Sequence, residues 1–172
     1  LDVGGAEIIF NEGLEHIYIS DELKIRRNGS RITIKSPEKS FFNWFSDKNH
    51  KIVIGTASDY RLIDIDAGGV ELSGVLFADI LNIDAGGIKI NGEYYCRDIK
   101  IDGAGMDIDG YIEADYLKVN GAGMDINIEV AGLEDVKFNG LGIDVDIQYL
   151  DSWIGIRHIS LKGVGGDLDV EV

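Results

Sequence analysis

Residues 101–110 read IDGAGMDIDG, and eighteen positions later residues 119–128 read VNGAGMDINI. Taken alone, the octet from Asp102 to Asp109 suits a metal loop, a phosphate cradle or the corner of a repeating unit. Its counterparts along the chain decide among these. The last glycine of each small-residue corner falls at Gly69, Gly87, Gly105, Gly123, Gly142 and Gly165, with spacings of 18, 18, 18, 19 and 23 residues. A fixed period of this size is the signature of a stacked repeat.

Eighteen residues also make five turns of α-helix, so the pattern inside each unit must separate helix from strand. Before the corner, Ile65, Ile83, Ile101, Val119, Phe138 and Leu161 form one apolar column. Ile63, Leu81, Ile99, Leu117, Val136 and Ile159 form another two residues earlier. After the corner come Val70, Ile88, Met106, Met124 and Ile143, then Leu72, Ile90, Ile108, Ile126, Val145 and Leu168. An apolar period of two means strands with one buried face. The residues between point outward: Asp64, Asn82, Lys100, Lys118, Lys137 and Ser160 on the first strand, and Glu71, Lys89, Asp107, Asp125, Asp144 and Asp167 on the second.

One such coil cannot bury its inner face alone, whereas stacked coils pair each strand with its equivalent and enclose a continuous apolar interior. The predicted fold is therefore all-β: a single-stranded parallel β-solenoid of about 18 residues per coil. It forms one domain over residues 1–172, with six regular coils over 60–172. At about 4.8 Å per coil, six to seven coils make a rod on the order of 30 Å long. Parallel crossovers favour the right hand, so a right-handed β-helix is expected. Residues 1–59 form an irregular β segment and cap. Within LKIRRNGSRITIK, residues 23–35, the Asn28–Gly29 pair signals a two-residue turn, so an antiparallel hairpin is expected to open the solenoid and shield its first edge.

Composition agrees with a packed fold. Hydrophobic residues make up 45% of the 172, and 23 glycines against a single proline suit tight corners rather than a disordered linker. Cys96 is the lone cysteine, which excludes an intrachain disulfide and a Cys/His zinc site. The net charge of −15 is concentrated in residues 98–172, which hold 16 acids and 5 bases. Such a surface repels phosphate backbones and anionic headgroups, so neither nucleic acid nor a bare membrane is expected as a partner. No apolar stretch approaches the length of a membrane span, and direct membrane insertion is not expected. The start at Leu1 suits a fragment or a mature domain.

The combination of IDAGGVELSG and IDAGGIKING with the eighteen-residue coil and irregular N-terminal β segment resembles the bacterial adhesin-like family of β-strand repeats, a domain family of unknown function. The resemblance spans the chain, and residues 60–172 carry it. It implies a single-stranded β-helix in a cell-surface or membrane-associated, extracellular protein, and it offers no catalytic residues to carry over.

From Gly103 onward the corners shift toward GxGxD, in GAGMD, GAGMD, GLGID and GVGGD. This resembles the core of the calcium-binding nonapeptide of β-rolls, and Asp107, Asp125 and Asp144 are the candidate ligands for calcium, which takes six to eight oxygens. Against it, the motif recurs every eighteen residues rather than nine. Asp102, Asn120, Asn139 and Lys162 stand where the nonapeptide has its leading glycine, and Glu71 and Lys89 continue the aspartate column. The alternative is a solvated strand face, because carboxylates about 4.8 Å apart repel by only around 1 kcal/mol in water. No cofactor is otherwise expected. A phosphate cradle fails because the corner opens a strand, not a helix N-terminus.

His16, His50 and His158 share no local motif with a nucleophile. Paired carboxylates such as Asp107 with Asp109 or Asp144 with Asp146 leave a polysaccharide-active β-helix enzyme as an alternative. Pairs of this kind recur along the chain and no single one stands out, so the expectation is a non-enzymatic scaffold or adhesin-like module with a protein or glycan surface partner. Its candidate contact residues are Phe41, Phe42, Trp44 and Phe45 in the loop SPEKSFFNWFSDKNH, and Trp153 in the longer connection from Gln148 to Arg157. The loop aromatics are read first as a cap over the apolar interior. Cys96 aligns with Ala78 and Ala114 and is read as a packed thiol. The closing GGDLDVEV stays in strand register, which predicts an unpaired edge that is either continued by further chain past Val172 or met by a second copy in a homo-oligomer.

Overall fold

The computed structural model describes residues 2–3, 5–20, 23–28, 31–35, 50–57, 59–150, 152 and 156–172. Twelve strands occur among them: β1 Asp2–Val3, β2 Ala6–Asn11, β3 Ile17–Ile19, β4 Lys24–Asn28, β5 Arg31–Lys35, β6 His50–Gly55, β7 Tyr60–Ala67, β8 Val70–Ala85, β9 Ile88–Glu113, β10 Tyr116–Ala131, β11 Asp135–Tyr149 and β12 His158–Glu171. None of the described residues is helical. The fold is a parallel β-solenoid.

From β7 to β12 every neighbouring pair is parallel, and the register reproduces the sequence columns. Ile63 lies beside Leu81, Ile99 beside Leu117, and Val136 beside Ile159. Strands β9 to β12 run without interruption through the glycine corners because the glycines turn the backbone without breaking the ladder, whereas the Gly68–Gly69 and Gly86–Gly87 corners separate β7, β8 and β9. Gly105, Gly123, Gly142 and Gly165 have φ of +72°, +62°, +58° and +67°, a left-handed conformation that costs a side-chain-bearing residue. The column two residues earlier, Gly103, Gly121, Gly140 and Gly163, is glycine for a different reason. A Cβ on Gly140 would lie 2.8 Å from the carbonyl carbon of Gly121 and 2.8 Å from Met124 Cε, and closer still to the Gly121 oxygen. Successive coils approach too closely there for any side chain.

The inward columns form one continuous core that includes Phe10, Leu72, Tyr94, Ile99, Val119 and Phe138. Alternation of buried and exposed residues is strict after the corner of β11, where Ile143, Val145 and Ile147 are buried between exposed Asp144, Asp146 and Gln148. In β12 the same columns, Ile159, Leu161, Leu168 and Val170, are only partly buried, since β12 pairs with β11 alone among the described strands.

The N-terminal segment departs from the sequence expectation in its stacking order. The β4–β5 pair is antiparallel, as the hairpin reading requires, but Asn28 lies opposite Arg31 and so ends the ladder instead of forming the turn. The hairpin opens the stack as expected, with β4 at its outer end beyond β5. Strand β1 is held between β5 and β7, and β2 between β6 and β8, all in parallel register. The chain's first coil is thus inserted between a coil built from β5 and β6 and the regular stack. The antiparallel strands β4 and β3 lie outside β5 and β6 respectively. Antiparallel pairing needs no crossover, and it places exposed Lys24 and Arg26 on the outermost strand, where charge discourages further pairing.

Candidate functional site

The repeat consumes the inward side chains, so any site must lie on the outer faces, of which each coil has three. The first face, before the glycine corner, carries the column Asn82, Lys100, Lys118 and Lys137. Lys137 Nζ lies 2.7 Å from Asp135 Oδ2 and 5.0 Å from the centroid of the Tyr116 ring. A neighbouring column forms an amide ladder: Asn120 Nδ2 donates to Asp102 Oδ1 at 2.5 Å and Asn139 Nδ2 donates to Asn120 Oδ1 at 2.8 Å. These bonds tie the side chains of Asp102, Asn120 and Asn139 on three successive coils into one row. Towards the N-terminal side, Asp64, Asp66, Asn82, Asp84, Lys100 and Asp102 border a shallow groove of about 300 Å³.

The second face carries the aspartate column of the GxGxD corners. Asp107, Asp125 and Asp144 are exposed and in register, with Asp167 continuing the row. Lys89 Nζ approaches Asp107 Oδ2 at 3.6 Å. The three predicted calcium ligands therefore share one open strand face, one per coil. Among the described residues no three His, Cys, Asp or Glu side chains group closely enough to hold a metal ion. Paired carboxylates line this face in two columns, Asp107 with Asp109 and Asp144 with Asp146, without an enclosing loop among the described residues.

On the third face the repeat is broken by aromatic residues. Phe77 and Tyr95 lie in register on successive coils and stack at 4.8 Å between centroids with their planes 12° apart. Tyr111, one coil further, leans toward Tyr95 at 5.6 Å and 55°. Each tyrosine hydroxyl donates to a carboxylate two residues away on its own strand: Tyr95 to Glu93 at 2.9 Å, Tyr111 to Glu113 at 3.0 Å. With Glu93 and Tyr95 on one coil and Tyr111 and Glu113 on the next, acids and rings alternate in a two-by-two tile. The Tyr95 hydroxyl titrates above its usual value, chiefly because it is hydrogen-bonded to Glu93, with burial and the charges of Glu93, Glu113 and Glu12 adding to the shift. Beside the tile is a hollow of about 240 Å³ lined by Tyr95, Cys96, Glu113, Ala114, Asp115 and Gly132.

Cys96 lies beside Ala78 as the columns require, and it is half-buried. Burial pushes its thiol up to about 12, partly opposed by a hydrogen bond to the Ala78 backbone. His50 is buried at the start of β6, whereas His16, in the bend before β3, and His158, at the start of β12, are exposed. Phe41, Phe42, Trp44, Phe45 and Trp153 lie outside the described residues. The strands flanking residues 36–49 stop and resume at the glycine-corner register, with Lys35 beside Asp2 and His50 beside Ala6.

The sequence reading singled out the aspartate column and missed the tile. The available signal was the departure of EYYCRD and YIEADY from the column chemistry of the other coils, where Glu129, Ala131, Gln148 and Leu150 occupy the equivalent positions. No helix of the described residues is long and apolar enough to cross a membrane. Comparison with family models, curated proteins and solved structures gives no match to this chain.

Proposed function

We propose that the chain is a non-enzymatic, adhesin-like surface module: a rigid rod whose outer faces present regularly spaced charged and aromatic groups to a protein or glycan partner outside the cell. The observation that carries this reading is the division of labour in each coil. Inward columns are spent on the core, glycine columns on corners and close coil contacts, and the outward columns remain as open, flat arrays with shallow concavities. Repetitive flat faces suit extended contacts made many times weakly. The extracellular setting follows from the resemblance of the corner motifs to adhesin-like β-strand repeats.

The test pairs a glycan array and a cell-surface binding assay with a turnover assay on a polysaccharide panel. Retention on a defined glycan or surface protein, with no release of reducing ends, is the expected result. Sustained release of reducing ends, abolished by changing Asp107 and Asp109 to asparagine, would instead establish the polysaccharide-active enzyme.

A further inference from the structure

Charge is sorted along the rod. The outward residues after the corner follow DxNxE over 125–129 on β10, DxDxQ over 144–148 on β11 and DxDxE over 167–171 on β12, all exposed and in register. Seven carboxylates thus stand in nine neighbouring positions, and among the described residues none is paired with a lysine or arginine. One coil earlier Lys89 meets Asp107, so the unneutralised patch begins at β10.

The opposite end of the stack carries the reverse sign. In the β4–β5 hairpin Lys24 lies across from Lys35 and Arg26 across from Thr33, and cross-strand partners share a face. Leu23 and Ile34 are buried on the inner face, so this one points outward. Like charges directly opposite each other weaken a strand pair, so hairpin stability does not account for two facing lysines. Lys35 has Asp2 beside it in register on β1. Lys24 and Arg26, on the outermost strand, are exposed and make no ion pair among the described residues.

The two patches match in spacing but cannot meet within one chain. Lys24 and Arg26 stand two residues apart on β4, as do Asp144 and Asp146 on β11 and Asp167 and Asp169 on β12, about 6.8 Å in each case. Along the sheet order, six strand steps separate β4 from β10, which is about 29 Å at roughly 4.8 Å per step. That distance is beyond the reach of any side chain and spans several Debye lengths of about 8 Å at physiological ionic strength.

We infer that the outer face of the β4–β5 hairpin, through Lys24 and Arg26, docks on the acidic β10–β12 face of a second copy of this chain. The contact is heterologous: a pair formed this way keeps one free hairpin and one free acidic face, so association is open-ended. A phosphate backbone or a layer of anionic headgroups would supply the charge without the matched spacing. A two-stranded face of five-residue strands falls well short of the roughly 800 Å² that each partner gives to a stable complex, so the association is weak and reversible. It is independent of the glycan or protein partner assigned to the outer faces.

Sedimentation velocity of the whole chain over a dilution series tests the contact at ionic strengths of about 0.15 M and about 1 M, between which the Debye length falls from about 8 Å to about 3 Å. The expected result is a weight-average mass that rises with concentration at the lower salt and a monomer at the higher. Lys24→Glu with Arg26→Glu, and separately Asp144→Lys with Asp146→Lys, should each weaken association at least about tenfold. Combining all four substitutions leaves the net charge at −15, because two bases become acids (−4) and two acids become bases (+4), and should restore salt-sensitive association. All four side chains are exposed, and an unchanged circular dichroism melting curve verifies each fold. An equimolar mixture of the two double variants, which offers a reversed hairpin to a reversed face, should also associate where neither does alone. A chain that stays monomeric at the lower salt, association that persists in the Lys24/Arg26 variant, or charge-swapped partners that stay folded yet apart overturn the proposal. So does association that needs added calcium, which gives the acidic face to the metal. So does a monomer that sediments instead with phosphatidylserine vesicles through Lys24 and Arg26, which gives the hairpin to anionic headgroups. A positive glycan array with a monomeric chain sinks this contact alone and leaves the surface-module reading standing.

Discussion

Three glycine-to-alanine substitutions at neighbouring corner positions should give three different costs, because glycine is there for three different reasons. At Gly87 an added Cβ meets nothing within 4 Å and φ lies outside the left-handed region. Alanine there should be neutral or stabilise by up to about 1 kcal/mol through the unfolded chain. At Gly123 the nearest atom to an added Cβ is the Gly105 Cα at 4.0 Å, but φ is +62°. The cost is left-handed strain alone, about 1–2 kcal/mol. At Gly140 φ is ordinary and the obstacle is backbone, with the Gly121 carbonyl carbon at 2.8 Å and its oxygen nearer. Ordinary contact requires the coils to part by on the order of 1 Å out of a strand spacing of about 4.8 Å. That lengthens the local N–H···O contacts beyond hydrogen-bonding range. Losing about three ladder bonds at around 1 kcal/mol each gives a cost of about 3 kcal/mol, and more if Met124 is displaced as well. Urea denaturation followed by far-ultraviolet circular dichroism measures all three. An unchanged m-value keeps the comparison within one unfolding reaction. Equal costs at Gly123 and Gly140, or a larger cost at Gly87 than at either, would refute the assignment of separate roles.

Three further outcomes follow from the outer faces and from Cys96. Asn120→Ala removes one donor and one acceptor from the ladder between Asp102 and Asn139, and should lower the unfolding free energy by about 1–2 kcal/mol. Asn127→Ala, on the next face, should stay within about 0.5 kcal/mol by the same measurement. Cys96 has its folded thiol raised from 9.0 to about 12, so at pH 8 it holds roughly a thousandth of the thiolate of the unfolded chain. Labelling with a thiol-specific disulfide reagent should be correspondingly slow until urea is added. Because folding favours the neutral thiol, its contribution to stability is complete below about pH 9 and is lost as pH rises toward 12; a urea midpoint that rises across that window contradicts the buried-thiol reading. For the aspartate column, the solvated-face reading expects the same melting temperature in millimolar calcium as in chelator. A rise of several degrees that disappears with Asp125→Asn would establish the β-roll alternative.

Much of the fold could be read in the sequence because a solenoid writes its contacts at a fixed offset. Once Ile65, Ile83 and Ile101 were aligned, each residue's neighbour was its counterpart eighteen positions away as far as β10, nineteen away in β11 and twenty-three away in β12, and the structure pairs them so. Local alternation then assigned each face. The site was less legible for the same reason. Periodicity draws the eye to what recurs, here the aspartates after each corner, whereas the tile of Glu93, Tyr95, Tyr111 and Glu113 is a departure confined to two coils. It becomes visible only when the coil spacing brings residues eighteen and sixteen apart into one patch.

The N-terminal coil shows where such a code ends. The sequence of residues 1–59 has alternation but no fixed offset, so strand character was readable while partners were not. Pairing β1 with both β5 and β7 joins residue 2 to residues 35 and 66, and β2 is likewise closed by β6 and β8. Strands β1 and β2 therefore gain ladders on both sides only after the chain has passed Gly74. Loop closure over such spans must be overcome before the contacts stabilise anything. The regular coils face no such delay, since each needs only the coil before it. This asymmetry makes the β7–β11 stack the part best able to form first, with the N-terminal coil locking in afterwards against β7 and β8. The buried side chains of Ile8 and Phe10 should accordingly contribute to stability mainly by slowing unfolding, whereas Leu117 and Val136 should also set the rate of folding. Stopped-flow refolding of Ile8→Val and Val136→Ala variants distinguishes the two orders, because a larger loss of folding rate from Ile8→Val, scaled to its equilibrium cost, would place the inserted coil in the nucleus.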